Sequence, residues 1–185
     1  MERRRFLGGV FGSMAAGIGG DRLACAAPDA GYIEPSRTLP LHDDADVIVC
    51  GGGPAGIAAA VTAARCGARV RLFELQGCLG GVWTAGLLTY IFDFNKPGIA
   101  AEIASRLDAR SARTVVRPDQ FVYATEDMRI ILDEMCLGAG VKLLFHTRVA
   151  AAYRQGPRLA TVVTEALRDR FERYPGIVLS PFRSR

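Results

Sequence analysis

The sequence has few of the residues from which metal sites and disulfide frameworks are built. Its 185 residues include two histidines, His42 and His146, and five cysteines, none of them in a C-x-x-C pair. A structural zinc site needs four such ligands at close spacing, so we expect no metal. The odd number of cysteines argues against a disulfide scaffold, although a single disulfide bond is compatible with that number. We interpret Cys50, Cys66 and Cys136 as small apolar residues that fill the core.

The sequence also lacks a long apolar run and a basic folded surface. The weakly hydrophobic run at residues 8–20 is shorter than the about 20 residues that a membrane-spanning helix needs. Lys and Arg outnumber Asp and Glu by 23 to 19, but residues 23–165 carry 14 basic and 15 acidic residues. A nucleic-acid-binding module would carry its basic residues on the folded part. We therefore expect neither a stable membrane span nor a nucleic-acid partner.

The N-terminus carries a set of features that is typical of exported proteins. Residues 3–5 are three arginines, Phe and Leu follow them, and the weakly hydrophobic run ends before an A-x-A cleavage site at residues 24–26. This arrangement resembles the bacterial twin-arginine export signal. Alternatives are a lipoprotein signal that uses Cys25 and a merely basic N-terminus. We expect a signal peptide at residues 1–26, a linker at residues 27–44, transient contact with export machinery and a periplasmic or otherwise exported protein.

A strand, a glycine-rich turn, a helix and a second strand follow one another from residue 47. The apolar run from Val47 to Cys50 predicts a buried parallel strand. It continues into Gly51-Gly52-Gly53-Pro54-Ala55-Gly56, in which Pro54 suits the first helical position and Ala55 follows it. Residues 55–66 then predict a helix, and residues 69–73 predict a second strand. Together these elements are typical of a βαβ dinucleotide-binding unit.

Each glycine of the turn, and the acid after the second strand, has a physical role in binding a dinucleotide. Gly51 permits the tight turn, Gly53 lets a pyrophosphate approach the backbone, and Gly56 lets the helix lie close to the strand. The helix N-terminus offers unpaired N–H groups to a phosphate. Glu74, at the end of the second strand, is placed to accept hydrogen bonds from the adenosine ribose and disfavours a 2′-phosphate. The unit therefore predicts FAD or NAD rather than NADP.

A second glycine pair, Gly80-Gly81, follows Glu74 and precedes Thr84. A second close backbone approach to a long ligand requires such a pair, and an ordinary glycine loop is the alternative. With the first turn, the motif L-G-G-x-x-T-A-G-L resembles the FAD-dependent oxidoreductases of the glutathione-reductase superfamily, especially the fumarate reductase-like flavoproteins. The resemblance implies that Gly80 and Gly81 pass the FAD pyrophosphate and ribityl chain and that Thr84 lies near the flavin ring. FAD is therefore the expected cofactor.

Two helices, a strand and a hairpin complete the predicted domain. Apolar stripes predict helices that begin near Ile99 and Thr125, with Thr125 as the cap of the second. Residues 141–145 predict a third parallel strand, and residues 148–164 predict a hairpin. In the family that the sequence resembles, this hairpin belongs to a β-meander, and the backbone at the position of Val149 meets the adenine edge.

The predicted fold class is α/β: a Rossmann-like FAD/NAD-binding βαβ sheet with a β-meander, at residues 45–165, incomplete at the C-terminus. Relatives continue with a strand into A-T-G-D, which this sequence lacks. Residues 166–185 form a basic tail that does not match the family. We expect its removal to cost little dinucleotide affinity.

By resemblance, the predicted function is an FAD-dependent oxidoreductase, or the dinucleotide-binding N-terminal fragment of one. The small-molecule substrate is unknown and no catalytic residue can be named, so we expect the chain to lack a complete active site. The alternatives are a truncated non-catalytic remnant and an NAD-binding module without chemistry of its own.

Overall fold

The computed structural model describes residues 36, 38–166, 172–175 and 177–179. The chain divides into a unit of residues 1–37 and a unit of residues 38–185, and all the elements below belong to the second unit. The expected signal peptide lies outside the described residues. Within the part of the chain that is described, no helix has the length and apolarity needed to cross a membrane.

Ten strands and three α-helices make up the described fold. In chain order they are β1 (Val47–Cys50), α1 (Pro54–Arg65), β2 (Val70–Phe73), β3 (Tyr90–Ile91), α2 (Ile99–Ala109), β4 (Arg113–Arg117), β5 (Gln120–Tyr123), α3 (Thr125–Gly138), β6 (Lys142–Leu144), β7 (Thr147–Gln155), β8 (Arg158–Ala166), β9 (Glu172–Pro175) and β10 (Ile177–Leu179). A short 3-10 helix, Gly81–Trp83, precedes β3. The strands form three sheets.

The central sheet is parallel and has the strand order β10-β1-β2-β6. Val47 lies opposite Val70, and Arg71 lies opposite Lys142. Every residue of β2 is buried, as expected for a strand that is covered on both faces. Because the strands are parallel, the carboxyl ends of β1 and β2 meet at one edge, where Gly51 and Glu74 follow them.

Alternate residues of β1 and β2 contribute to two separate cores, because successive side chains of a strand point to opposite faces. Val49 and Leu72 belong to the larger core, which includes Ile57 of α1 and apolar residues of α2 and α3. Ile48 and Phe73 belong to the smaller core, with Val162 of the β7-β8-β9 meander. Helices therefore cover one face of the sheet and the meander covers the other.

The expected βαβ unit, third strand and meander are present, which confirms the predicted α/β Rossmann-like class. The local sequence pattern predicts no strand between residues 111 and 124, but β4 and β5 lie there, and β5 pairs with both β3 and β4 in an antiparallel sheet. The predicted cap at Thr125 is wrong. Thr125 is the first residue of α3, and Ala124 at the cap position makes no side-chain hydrogen bond.

The two ends of the expected domain also differ from the sequence-based boundaries. Asp44, placed in the linker, pairs with Arg71 and with Lys142, and the next residue, Ala45, is buried. In the expected tail, β9 pairs with β8 and β10 pairs with β1. Part of the tail therefore completes two sheets, because β10 covers an edge of β1 that would otherwise expose unpaired backbone groups.

Candidate functional site

The turn between β1 and α1 brings the helix close to the strand. Gly51 has φ +108°, a conformation that favours glycine, and its N–H donates to the carbonyl oxygen of Phe73 at 2.8 Å. A Cβ at Gly56 would overlap the Gly51 carbonyl oxygen. Glycine at position 56 is therefore required by the close packing of α1 on the turn.

Gly53 has a different environment. It precedes α1 with extended backbone, and a Cβ built on it would meet no atom within 4 Å. Pro54 begins the helix, and Ala55 follows it. The space in front of the α1 N-terminus is therefore open, and the helix dipole with its unpaired N–H groups favours an anion there.

Glu74 follows β2, lies next to the glycine turn and is 7% exposed. Its Oε2 accepts a hydrogen bond from the Gly52 N–H at 2.5 Å, and its Oε1 accepts one from the Gln76 N–H at 2.7 Å. A carboxylate has about four acceptor positions, so each oxygen retains capacity for a ligand hydroxyl. The two backbone contacts fix the orientation of the carboxylate at the end of β2.

The second glycine pair lies directly against the first turn. The Gly80 N–H donates to the Gly52 carbonyl oxygen at 2.7 Å, and a Cβ at Gly81 would lie 3.2 Å from Gly53 Cα. Thr84 is fully buried, and its hydroxyl donates to the carbonyl oxygen of Leu79. Thr84 thus holds the loop that carries the glycine pair.

A cavity of about 890 Å³ opens at this edge of the sheet. Eight of the ten predicted cofactor-binding residues line it: Gly51, Gly53, Pro54, Ala55, Gly56, Glu74, Gly81 and Val149. Gly80 and Thr84 are not among the lining residues, and they shape the adjacent loop instead. The cavity therefore brings together residues from the glycine turn, the end of β2, the second glycine pair and β7.

Several residues that line this cavity or shape its wall are not assigned by the sequence motifs. Gly52 orients Glu74 and receives Gly80, and the signal for it was the uninterrupted glycine triplet. Arg154 and Leu159 also line the cavity, although nothing in the local sequence indicates which face of the hairpin they occupy. Their placement depends on the pairing of β7 with β8.

The cysteines differ in their environments. Cys50 lines the cavity, and burial raises the pKa of its thiol to about 11. Burial, with the nearby Asp133 carboxylate, raises the pKa of the Cys136 thiol to about 12. Both thiols are protonated at neutral pH and are poor nucleophiles. Cys66 is exposed, so its interpretation as a core residue is wrong.

The residues present fit the adenosine and diphosphate parts of a dinucleotide. The cavity has the size usual for small-molecule sites. Gly53 leaves room for a phosphate at the helix N-terminus, and Glu74 presents an oriented carboxylate for ribose hydroxyls. The Thr147 N–H donates to the Glu74 backbone carbonyl oxygen at 3.0 Å, which holds the start of β7 next to the end of β2, and Val149 of β7 lines the same cavity as Glu74.

Comparisons with known proteins agree with this geometry. Residues 46–175 match the protein family described as FAD dependent oxidoreductase. An 85-residue segment is 38% identical to pseudooxynicotine dehydrogenase of a Pseudomonas species and covers 44% of this chain and 17% of that protein. A 58-residue segment is 41% identical to thiamine thiazole synthase of Methanosarcina mazei and covers 31% of this chain and 22% of that protein. The chain therefore spans less than a quarter of these relatives.

Solved structures share the fold at low sequence identity. A geranylgeranyl bacteriochlorophyll reductase-like protein of Thermoplasma acidophilum has a TM-score of 0.58 and 18% identity, over 76% of this chain and 39% of that one. The L-amino acid deaminase of Proteus vulgaris has a TM-score of 0.54 and 15% identity, over 81% of this chain and 50% of that one. These likenesses support the α/β fold class alone.

Proposed function

Because this chain belongs to the FAD dependent oxidoreductase family and its cofactor is FAD, we propose that the cavity beside Gly53 and Glu74 holds the adenosine diphosphate half of the cofactor. The observation that carries the proposal is the pairing of an open helix N-terminus with an oriented, buried carboxylate in one cavity. Each group matches one chemical part of the ligand. The diphosphate needs N–H donors, and the ribose needs an acceptor.

The chain's own residues bind and orient the cofactor. The backbone at Gly53 and the first turn of α1 receive the diphosphate, Glu74 receives the ribose, and the backbone at Val149 meets the adenine edge. The Gly80-Gly81 loop is held against the first turn through Gly52, and it continues the binding surface beyond the diphosphate. Bound FAD supplies the electron-transfer chemistry, as cofactors of this class do.

We infer two finer assignments from the sequence motifs. The first is membership of the glutathione-reductase superfamily, nearest to the fumarate reductase-like flavoproteins, with a small-molecule substrate and no nucleic-acid partner. The second is that the chain is the dinucleotide-binding N-terminal part of such an oxidoreductase. Both are supported by the order of glycine turn, ribose acid and second glycine pair.

We also propose that the protein is exported by the twin-arginine route and acts in the periplasm. The support is the sequence of residues 1–26 alone, with three arginines and the A-x-A cleavage site. Contact with the export machinery is then transient, because the signal is removed.

The cofactor site is tested by titrating the full 185-residue chain with FAD, NAD and FMN and measuring dissociation constants. We expect FAD to bind at least tenfold more tightly than NAD, which corresponds to about 1.4 kcal/mol. FMN lacks the adenosine half and is expected to bind least. Tighter binding of NAD than of FAD would overturn the flavin assignment and favour an NAD-binding module.

A further inference from the structure

The β7-β8 hairpin contains an irregularity that places one arginine in the cavity. Val149 pairs with Thr164 and the next pair on the ladder is Ala151 with Val163, so that Ala150 is an extra residue on β7 without a partner on β8. A bulge of this kind changes the face to which the following side chains point. Ala152 and Arg154 consequently lie on the same face of β7 as Val149, and all three line the cavity.

Arg154 is one of three charged residues that line the cavity, with Glu74 and Arg148. The Arg148 guanidinium donates to Glu165 at 2.5 Å, so that much of its charge is already compensated. Glu74 is held by two backbone N–H groups. Among the residues that the structure describes, no acidic side chain forms an ion pair with Arg154.

Without a further positively charged side chain, the bound ligand and Glu74 would leave an excess of negative charge in the cavity. The diphosphate has two ionised phosphates, Glu74 is also an acid, and the N-terminus of α1 contributes only about half an elementary charge. The Debye screening length is about 8 Å at physiological ionic strength, so charged groups that line one cavity still interact across it. A positive charge on the hairpin side would therefore favour the diphosphate.

We propose that the Arg154 guanidinium, directed into the cavity by the bulge in the β7-β8 hairpin, supplies the positive charge that balances the diphosphate of the bound dinucleotide. This inference rests on the proposed function of the cavity. Arg154 then interacts with the phosphates of the ligand and not with its base or ribose. Arg154 is exposed, so solvent screening limits the effect to a moderate factor.

The test compares ADP with adenosine, which differ by the diphosphate, on the full chain by calorimetry. We expect Arg154→Gln to weaken ADP binding three- to tenfold and to leave adenosine binding unchanged. Arg154→Lys keeps the charge and is expected to retain most of the ADP affinity. The ADP affinity of the parent chain is also expected to fall more steeply with salt than that of Arg154→Gln.

Two other arginines provide matched controls. Arg117→Gln removes an exposed arginine that does not line the cavity, and Arg65→Gln removes an exposed arginine that is paired with Glu102 and does not line the cavity either. Both are expected to change ADP affinity less than twofold. Equal ADP affinity in Arg154→Gln and the parent chain, or an equal loss in all three variants, overturns the inference while leaving the cavity assignment intact. Failure of the parent chain to bind either FAD or ADP overturns the proposed function itself.

Discussion

A side chain at Gly53 would point into open space, whereas a side chain at Gly56 would overlap the carbonyl oxygen of Gly51. The two glycines belong to the same sequence motif but have different physical reasons to be glycine. The fold restricts position 56 to glycine, but no described protein atom restricts position 53, where the proposed ligand would do so. Substitutions at the two positions should therefore separate folding from binding.

We predict that Gly53→Val abolishes dinucleotide binding and leaves the fold in place. The φ of −72° suits valine, and no protein atom lies within 4 Å of the new Cβ, but the branched side chain fills the space required by a phosphate. Affinity for FAD should fall at least tenfold in a fluorescence titration, with a stability change of about 1 kcal/mol or less from the altered cap position.

Gly56→Ala is the contrasting variant, since its Cβ meets backbone that cannot move without distorting the turn. It should lower the thermal unfolding midpoint as well as the affinity. If Gly53→Val bound FAD as tightly as the parent chain, the glycine turn would be structural and the ligand would bind elsewhere.

At the next scale, ion pairs attach the chain preceding β1 to neighbouring strands. Asp46 accepts hydrogen bonds from the side chain and the backbone of Arg69, the residue that precedes β2. The side-chain hydrogen bond from Arg69 is the largest cause, and the backbone hydrogen bond adds to it. Together they lower the pKa of Asp46 from 3.8 to about 2. A carboxyl whose pKa is lower in the folded state stabilises the fold above its unfolded pKa, and this stabilisation is lost as the pH falls through the folded value.

We predict that Asp46→Asn lowers the urea midpoint of unfolding at pH 7 and that the difference from the parent chain shrinks between pH 4 and pH 2. Arg69→Gln should have a similar effect, and the double variant should add little, because both changes remove one pair. The effect is expected to be small, since both side chains are largely exposed. A difference that stayed constant down to pH 2 would show that the carboxylate charge is not its cause.

Elements that local spacing specifies could be predicted, and those that depend on distant partners could not. The order of β1, the glycine turn, α1 and Glu74 follows from neighbouring residues within one βαβ unit. The pairing of β10 with β1 joins Ile177 to Val47, and no local pattern shows it. The same limit applies to the cavity, because Arg154 enters it only through a bulge between paired strands.

We predict that Val178→Pro destabilises the domain, even though the sequence predicts that removing the basic tail costs little dinucleotide affinity. Val178 lies opposite Ile48 in the parallel ladder, where proline removes a backbone donor. The cost should be about 1–3 kcal/mol, the range for a hydrogen-bonding group left without its partner, and it is measured by urea unfolding. Val178→Thr, which keeps a β-branched residue, is the control and should cost less. Equal stability of the proline variant and the parent chain would show that β10 is not needed.

On the scale of the whole chain, the residues that line the proposed dinucleotide site all belong to the unit of residues 38–185. The family match also begins inside this unit, at residue 46. The proposed export signal is therefore separate in sequence from every residue assigned to the cofactor. Changes in the signal should alter the location of the protein without altering its affinity for FAD.

We predict that replacing Arg3, Arg4 and Arg5 together with lysine removes the protein from the periplasm. Lysine keeps the positive charge but lacks the planar guanidinium group, so the variant separates recognition of arginine from a general requirement for charge. Fractionation of a bacterial host and immunoblotting should show the lysine variant only in the cytoplasm, and the purified variant should bind FAD as the parent chain does. The control replaces Arg22, which lies outside the twin-arginine motif, and should leave export unchanged. An equal periplasmic yield of the triple variant would contradict the twin-arginine proposal and favour a general secretory signal or a leader without an export role.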